Sequence, residues 1–199
     1  MKVIVVGATG TIGAAVVEAL AGRHQVIGVS RKSKPGVDLT DAASIEALFG
    51  AVREVDAVIS CAGSAVFKPL AQLADADFAL SLDNKLMGQV RLARAALAHL
   101  RDGGSVTLTS GVLSQQPMPG SAAISLVNAA LEGFGRAAAL EAPRGVRVNV
   151  VSPPWVDETL AKYGMQVDQH LPAKVVARAY VAALEGTGRG QILDPAAFQ

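Results

Sequence analysis

The stretch Lys2–Gly13, KVIVVGATGTIG, decides the fold of this 199-residue chain. Its first part, Lys2–Val6, is a short run of apolar, mostly β-branched residues that ends at Gly7, which predicts a buried strand. Helical periodicity follows over Thr11–Gly22. A strand that leads through spaced glycines into a helix predicts the first unit of a parallel α/β sheet.

The rest of the chain continues the alternation of strands and helices. The other predicted strands are Gln25–Ser30, Val37–Leu39, Asp56–Ser60, Ser105–Thr109, Val146–Ser152 and Gln191–Leu193. The other predicted helices are Asp41–Val52, Asp77–His99, Ala122–Glu141 and, with breaks at Gly164 and Pro172, Asp157–Leu184. This order predicts a single domain over residues 1–199, with a doubly wound parallel sheet in three α/β/α layers, the Rossmann fold.

The composition suits such a sheet and argues against several other classes of protein. Hydrophobic residues make up 51% of the chain and aromatic residues 4%, which is typical of small-residue helices on a buried sheet. The net charge of +1, without a long basic run, argues against nucleic-acid binding. Cys61 is the single cysteine, and the three histidines lie far apart, so we expect neither an internal disulfide nor a metal site.

Hydropathy along the chain gives an expectation about its location. Lys2–Val6 leads straight into the glycine turn and lacks the apolar stretch of a signal peptide. No window is both long enough and apolar enough for a transmembrane span. We therefore expect a cytoplasmic protein that does not bind a membrane.

The glycine turn Gly7–Gly13 predicts a binding site for a dinucleotide. Its glycines permit a tight turn, a close approach of the backbone to a pyrophosphate, and close packing of the helix on the strand. Free amide groups at the helix start then face the phosphates. The residues expected at this site are Gly7, Thr9, Gly10, Thr11, Ile12 and Gly13. The alternative is a plain turn that binds no ligand.

The residues after the second predicted strand bear on which dinucleotide is bound. The strand ends in Ser30-Arg31-Lys32, without the acidic residue that holds the ribose hydroxyls in NAD-preferring sites. Arg31 can pair with a 2′-phosphate through its planar guanidinium, which favours NADP(H) over NAD(H). The alternative is a solvated basic loop. Asp38 can accept a hydrogen bond from the adenine amino group or serve as a turn residue.

With these motifs the chain resembles the short-chain dehydrogenase/reductase family over nearly its whole length. The resemblance rests on Gly7-x-x-Gly10-x-x-Gly13, Asp38-Leu39-Thr40-Asp41, Cys61-Ala62-Gly63 in place of the family's Asn-Ala-Gly, Asn84, Ala129–Phe134 and Val146–Trp155. It implies an oxidoreductase that acts on a small molecule. It also implies that Leu39, Cys61, Ala62, Gly63 and Pro153 lie against the dinucleotide.

The catalytic positions implied by the resemblance are where the chain departs from the family. The family carries Tyr-x-x-x-Lys on the helix after the fifth strand: the Tyr protonates the carbonyl oxygen, and the Lys lowers the pKa of the Tyr. Counting back from Ala129–Phe134 places the Tyr position at Ile124 and the Lys position at Asn128. The family's Ser position falls at Gly111. The catalytic candidates that remain are Ser110, Asn84 and Asn128, of which Asn128 can hydrogen-bond a ribose hydroxyl.

Other side chains are weaker substitutes for the missing proton relay, and each has an ordinary structural alternative. Lys85 follows Asn84 on the long helix and points either to the site or to solvent. The others are Ser114 and Ser125 (loop or cap residues), Lys162 and Tyr163 (a surface pair), Cys61 (a small buried residue) and Trp155 (a cover for the core).

Two functions therefore stay open from the sequence. The first is an NADP(H)-dependent oxidoreductase with a non-standard proton source. The second is a non-catalytic NADP(H)-binding sensor or partner-binding module, while binding of flavin or another nucleotide in the same crevice has less support. The family's pairing of the helices that match Asp77–His99 and Ala122–Glu141 implies a homodimer or homotetramer.

Overall fold

The computed structural model describes all residues from Met1 to Gln199, and a parallel sheet of six strands lies at its centre. In chain order the strands are β1 (Lys2–Val6), β2 (Gln25–Val29), β3 (Ala57–Ser60), β4 (Ser105–Thr109), β5 (Arg147–Val151), β6 (Trp155–Val156), β7 (His170–Leu171) and β8 (Ile192–Leu193). The sheet has the order β2-β1-β3-β4-β5-β8, and β6 pairs separately with β7. Every pairing is parallel, which confirms the predicted doubly wound sheet.

Seven α-helices connect and cover the strands. They are α1 (Thr11–Leu20), α2 (Ala42–Ala51), α3 (Asp75–Ser81), α4 (Gly88–His99), α5 (Ala122–Glu141), α6 (Asp157–Tyr163) and α7 (Ala173–Glu185). A π-helical segment, Leu82–Met87, joins α3 to α4, so the predicted helix Asp77–His99 is continuous but irregular. None of these helices combines the length and the apolar character that crossing a membrane requires.

The core lies in two layers, one on each face of the sheet. Successive residues of a strand point to opposite faces, and β1 shows this directly. Ile4 and Val6 belong to a cluster of 23 buried residues that includes residues of α2, α4 and α5. Val3 and Val5 belong to a cluster of 17 buried residues that includes residues of α1 and α7. Helices therefore cover both faces, as the three-layer prediction requires.

The prediction of a strand at Val37–Leu39 is wrong. Val37 and Leu39 are buried, but the segment pairs with no strand, and β2 forms the edge of the sheet. The amide of Val37 donates to the carbonyl of Ser30 at 3.0 Å, and the amide of Asp38 donates to Ser44 Oγ at 2.9 Å. Two apolar residues that flank a polar one mimic the alternation of a strand, although here they anchor a loop to the core.

The strand order places a crevice at the carboxyl ends of β1 and β3. The chain leaves β1 for β2 on one side, whereas β3 pairs with β1 on the other side. In open α/β sheets this change of direction is where ligands bind, because the two connecting loops diverge and leave a gap.

Candidate active site

The glycine turn between β1 and α1 is built for close packing of backbone on backbone. Gly7 has φ 84°, and a Cβ there would lie 2.9 Å from the carbonyl carbon and oxygen of Cys61. A Cβ at Gly13 would collide with the carbonyl of Gly7. Gly10 is the N-cap of α1 and supplies no side chain to it, so no side chain occupies the amides of the first helical turn. These amides can receive an anion.

Two adjoining cavities extend from this turn along the carboxyl edge of the sheet. The first pocket, about 260 Å³, is lined by residues that include Gly7, Thr9, Gly10, Arg31, Asp38, Leu39 and Asn84. The second pocket, about 250 Å³, is lined by residues that include Ile12, Lys85, Ser110, Gly111, Ile124, Asn128, Pro153 and Trp155. Cys61, Ala62 and Gly63 line both pockets and so mark where they meet. Of the residues predicted to bind the dinucleotide, only Thr11 and Gly13 line neither pocket.

Arg31 and Asp38 both line the first pocket, but they differ in their interactions with the rest of the chain. Asp38 Oδ1 accepts hydrogen bonds from the amide of Thr40 at 2.9 Å and from Thr40 Oγ1 at 2.8 Å. These bonds, with a smaller contribution from the charge of Arg31, lower the pKa of Asp38. Arg31 is exposed and takes part in none of the ion pairs within the chain. The first pocket therefore has a turn-forming carboxylate and an uncommitted guanidinium.

Asn84 and Lys85 are neighbours in the π-helical segment, but they line different pockets. Asn84 Oδ1 accepts a hydrogen bond from the amide of Ser64 at 2.7 Å and lies at the first pocket. Lys85 lines the second pocket, where its Nζ donates to the carbonyl oxygen of Ser110 at 3.0 Å. Burial lowers the pKa of Lys85 to about 8. Of the sequence candidates, Ser110 and Asn128 lie together in the second pocket, and Lys85 rather than Asn84 joins them there.

Asn128 has one buried polar atom without a partner. Its Nδ2 donates to the carbonyl of Gly111 at 3.2 Å, while its Oδ1 is buried and accepts no hydrogen bond. Buried polar atoms without a partner are rare and costly in folded proteins. Asn128 lines the second pocket, so a hydroxyl donor placed there, such as a ribose hydroxyl, can satisfy Oδ1. The glycine cradle and this unpaired acceptor together fit the chemistry of a dinucleotide.

Glu132 is the polar residue of this region that sequence reasoning missed. Its side chain is buried on α5, and Oε1 accepts from Ser110 Oγ at 3.1 Å, Ser114 Oγ at 2.6 Å and Ser152 Oγ at 3.3 Å. Gln115 Nε2 donates to the other oxygen at 3.4 Å. The hydroxyl hydrogen of Ser110 is thereby committed to Glu132, away from a ligand. What Ser110 contributes toward Lys85 is its backbone carbonyl.

Neither tyrosine of the chain lines the second pocket. Tyr180 is fully buried on α7, and its hydroxyl contacts Thr109 Oγ1 at 2.6 Å. Burial raises the pKa of Tyr180 well above its ordinary value and raises the pKa of Cys61 to about 12. Tyr163 is 65% exposed on α6 beside Lys162, whose Nζ lies 5.5 Å from the ring centre. These two form the surface pair that was one of the alternatives.

The segment after β5 covers the second pocket. The carbonyl of Pro153 accepts from the amide of Val112 at 2.9 Å, which ties this segment to the end of β4. Trp155 lines the pocket and packs edge-on against Phe67, with ring centres 5.8 Å apart. Ile124 and Val156 add to the apolar wall, so the second pocket accepts an apolar substituent more readily than a charged one.

The fold and the glycine cradle define a nucleotide-binding α/β protein, and the comparisons identify its family. The model of the family described as Enoyl-(Acyl carrier protein) reductase matches residues 2–187. An uncharacterized oxidoreductase of Methylorubrum extorquens is 30% identical over 178 residues, which are 77% of this chain and 72% of that protein. The chain belongs to the short-chain dehydrogenase/reductase family.

Other curated relatives are longer than this chain. A hydroxynaphthalene reductase-like protein of Metarhizium brunneum is 34% identical over 125 residues, which are 60% of this chain and 47% of that protein. The chain thus spans about half the length of these fungal relatives.

Solved structures agree with the family membership. The protein lin1944 from Listeria innocua superposes with a TM-score of 0.94 and is 36% identical, covering 98% of each chain. A small-chain dehydrogenase in complex with NADPH superposes with a TM-score of 0.86 and is 27% identical, covering 98% of this chain and 95% of the other. The described fold is therefore that of proteins of similar length.

Proposed function

We propose that this chain, acting as one nucleotide-binding domain, is an NADP(H)-dependent oxidoreductase whose proton source is not the family's Tyr–Lys pair. The observation that carries the proposal is Asn128, which lines a pocket continuous with the glycine turn and whose buried Oδ1 has no partner. When bound, the dinucleotide supplies a hydride to an acceptor in the second pocket.

Several residues would hold the dinucleotide. The amides at the start of α1 receive the pyrophosphate, and Arg31 at the rim of the first pocket receives the 2′-phosphate. The Oδ1 of Asn128 accepts from a ribose hydroxyl. The NADPH complex of a structural relative that is 27% identical supports the preference for NADP(H).

The acceptor class follows from the wall of the second pocket and from the relatives. Ile124, Trp155 and Val156 make much of the wall apolar. The fungal relatives are named for reduction of hydroxynaphthalenes, which are flat aromatic compounds. Aromatic ketones and quinones are therefore the acceptors we propose.

The test is binding followed by turnover. We expect NADPH to bind below millimolar concentration and more tightly than NADH, as measured by the change in nucleotide fluorescence. NADPH oxidation is then measured at 340 nm, the absorbance of the reduced nicotinamide, with α-tetralone, menadione and free flavin as acceptors. Failure of both nucleotides to bind would contradict the proposal at its base.

The second candidate function is a non-catalytic NADP(H)-binding sensor. It is favoured by Ile124, which lies in the second pocket at the position where the family's Tyr was expected and carries no exchangeable proton. Tight NADPH binding without oxidation by any acceptor would support the sensor and contradict the oxidoreductase.

A further inference from the structure

Lys85 occupies a prepared position in the second pocket. Its side chain runs across Gly63, where an added Cβ would lie 3.1 Å from Lys85 Cγ and 3.2 Å from Lys85 Cα. Its Nζ reaches the carbonyl of Ser110 at the end of β4, at 3.0 Å. Gly63 has φ 140°, and the missing side chain there leaves the space that the lysine stem uses.

The amine of Lys85 has hydrogen-bonding capacity left for a ligand. An ammonium group has three N–H donors, and the chain engages one of them, on Ser110. No carboxylate lies within ion-pair distance of Lys85. Asn128 in the same pocket offers an unpaired acceptor, its buried Oδ1. The second pocket therefore presents a cationic donor and a neutral acceptor together.

We propose that Lys85 Nζ is the proton donor of this active site and protonates the carbonyl oxygen of a substrate held in the second pocket. The inference rests on the proposed function and specifies its missing step. The other candidates are committed elsewhere: the hydroxyl of Ser110 donates to Glu132, and the hydroxyl of Tyr180 is buried against Thr109. Lys85 is the one cationic side chain that lines the second pocket.

The step balances without a further reagent. Reduction adds a hydride from the dinucleotide to the carbonyl carbon, and the π electron pair of the C=O bond moves to oxygen. The Nζ–H bond of Lys85 breaks and an O–H bond forms, which leaves a neutral amine and an alcohol. The amine then regains a proton from water. In the reverse direction the neutral amine accepts the proton of the alcohol.

The surroundings of Lys85 suit this role. Burial lowers its pKa to about 8, so it holds a proton at neutral pH and releases it more readily than a surface lysine. The other titratable side chain that lines the second pocket is Cys61, whose raised pKa keeps it a neutral thiol. Asp83, on the same helical segment, is paired with Arg91 at 2.7 Å. Glu132 lies behind the end of β4 and is engaged by serine hydroxyls.

The first measurement is independent of turnover. In protein labelled with ¹³C at lysine Cε, we expect one resonance to titrate near pH 8. This resonance should be absent from Lys85→Met. It should be present in the control variant Lys174→Met, which replaces an exposed lysine of α7. Saturating NADP⁺, whose nicotinamide ring is cationic, should move that titration to lower pH than saturating NADPH does, because like charges disfavour each other. A Lys85 resonance that titrates like the other lysines overturns the proposal.

The second measurement uses the kinetics of ketone reduction. Lys85→Met should lower kcat by about a hundredfold or more, the usual contribution of a general acid, while the Kd of NADPH changes less than about threefold. Lys85→Arg keeps the charge but cannot release the proton, so it should be as inactive as Lys85→Met. The wild-type kcat for reduction should fall about tenfold per pH unit above the Lys85 pKa, because the protonated amine is consumed.

The outcomes separate this proposal from the proposed function. A wild type that does not bind NADPH, or does not turn over, contradicts the proposed function and with it the proton transfer. Wild-type turnover that Lys85→Met retains contradicts the role of Lys85 alone. An active Lys85→Arg variant would mean that the charge is sufficient and would overturn proton donation.

Discussion

Arg31 and its neighbour Lys32 are both exposed cations in the loop after β2, but only Arg31 lines the first pocket. The distinction matters because substitution of a cation that contacts the phosphate should weaken binding more than substitution of a cation that only attracts it over a distance. A guanidinium that forms a bidentate pair with a 2′-phosphate contributes about 1.5–3 kcal/mol as charged hydrogen bonds. A cation outside the pocket contributes only screened attraction.

We therefore predict that Arg31→Asp weakens NADPH binding about tenfold to a hundredfold while the Kd of NADH stays the same or falls. The measurement is a pair of fluorescence titrations, one for each nucleotide. Lys32→Asp makes the same change of charge in the same loop and should change the Kd of NADPH less than about threefold. Equal losses in the two variants would argue against a contact between Arg31 and the phosphate.

Individual residues also show where sequence reasoning ends. Most residues expected at the dinucleotide site do line the two pockets, because they directly follow strand ends or the glycine turn. The sequence does not decide whether Lys85 points to the site or to solvent, because Lys85 lies in the π-helical segment Leu82–Met87, where side-chain directions depart from regular helical periodicity. The sequence does not indicate the role of Glu132, because the three serines that donate to it come from separate loops and strand ends that are adjacent only in the fold.

At the scale of elements, the turn between β1 and α1 depends on Gly13 for its shape. A Cβ there would overlap the carbonyl of Gly7, and backbone cannot move aside as a flexible side chain can. We predict that Gly13→Ala lowers the free energy of unfolding by about 1–3 kcal/mol, the range of overpacking, and abolishes NADPH binding. Urea denaturation and nucleotide titration measure the two effects.

The matched control for Gly13→Ala is Gly50→Ala in α2. A Cβ at Gly50 would meet nothing within 4 Å, so the substitution should leave NADPH binding unchanged and stabilise the helix by up to about 1 kcal/mol. Should Gly13→Ala behave like Gly50→Ala, close packing of helix on strand would not explain the glycine.

Most strands and helices were predictable from the sequence because their hydrophobic pattern matches the burial of their residues in the structure. β3 and β4 are buried along their whole length, and all their residues except Ser60 and Ser105 are apolar or β-branched, which predicts buried strands. The helix α2 begins at Ala42, directly after Asp41, whose side chain accepts from the amide of Ala43 at 2.9 Å. The prediction of a strand at Val37–Leu39 is wrong because the apolar pattern indicates only that side chains are buried. A buried segment need not pair with a strand.

At the scale of the whole molecule, α5 still presents large apolar side chains to solvent. Leu126 is 45% exposed and Leu140 is 89% exposed, on the helix whose other side carries the buried Asn128 and Glu132. The family resemblance implied a dimer through the helices that include α4 and α5. A homodimer remains our prediction for the intact molecule.

Sedimentation equilibrium should give a mass of twice 20.3 kDa at micromolar concentration. Leu126→Arg places a charge on the exposed face of α5 and should shift the protein to monomer, whereas Leu70→Arg, at a leucine that is 68% exposed outside the long helices, should not. A wild type that sediments as a monomer, or two variants that behave alike, would contradict an interface at α5.

The loop that replaces the expected third strand has a consequence for how this molecule can change. The wall that carries Arg31 and Asp38 is fastened by side chains, with Ser33 Oγ accepting from the amide of Ser30 at 2.8 Å and Ser44 Oγ accepting from the amide of Asp38. It contributes no rung to the ladder of the sheet. Residues of this loop that face the first pocket can therefore be replaced while β1 and β2 keep their register, provided that Val37 and Leu39, which anchor the loop to the core, are retained.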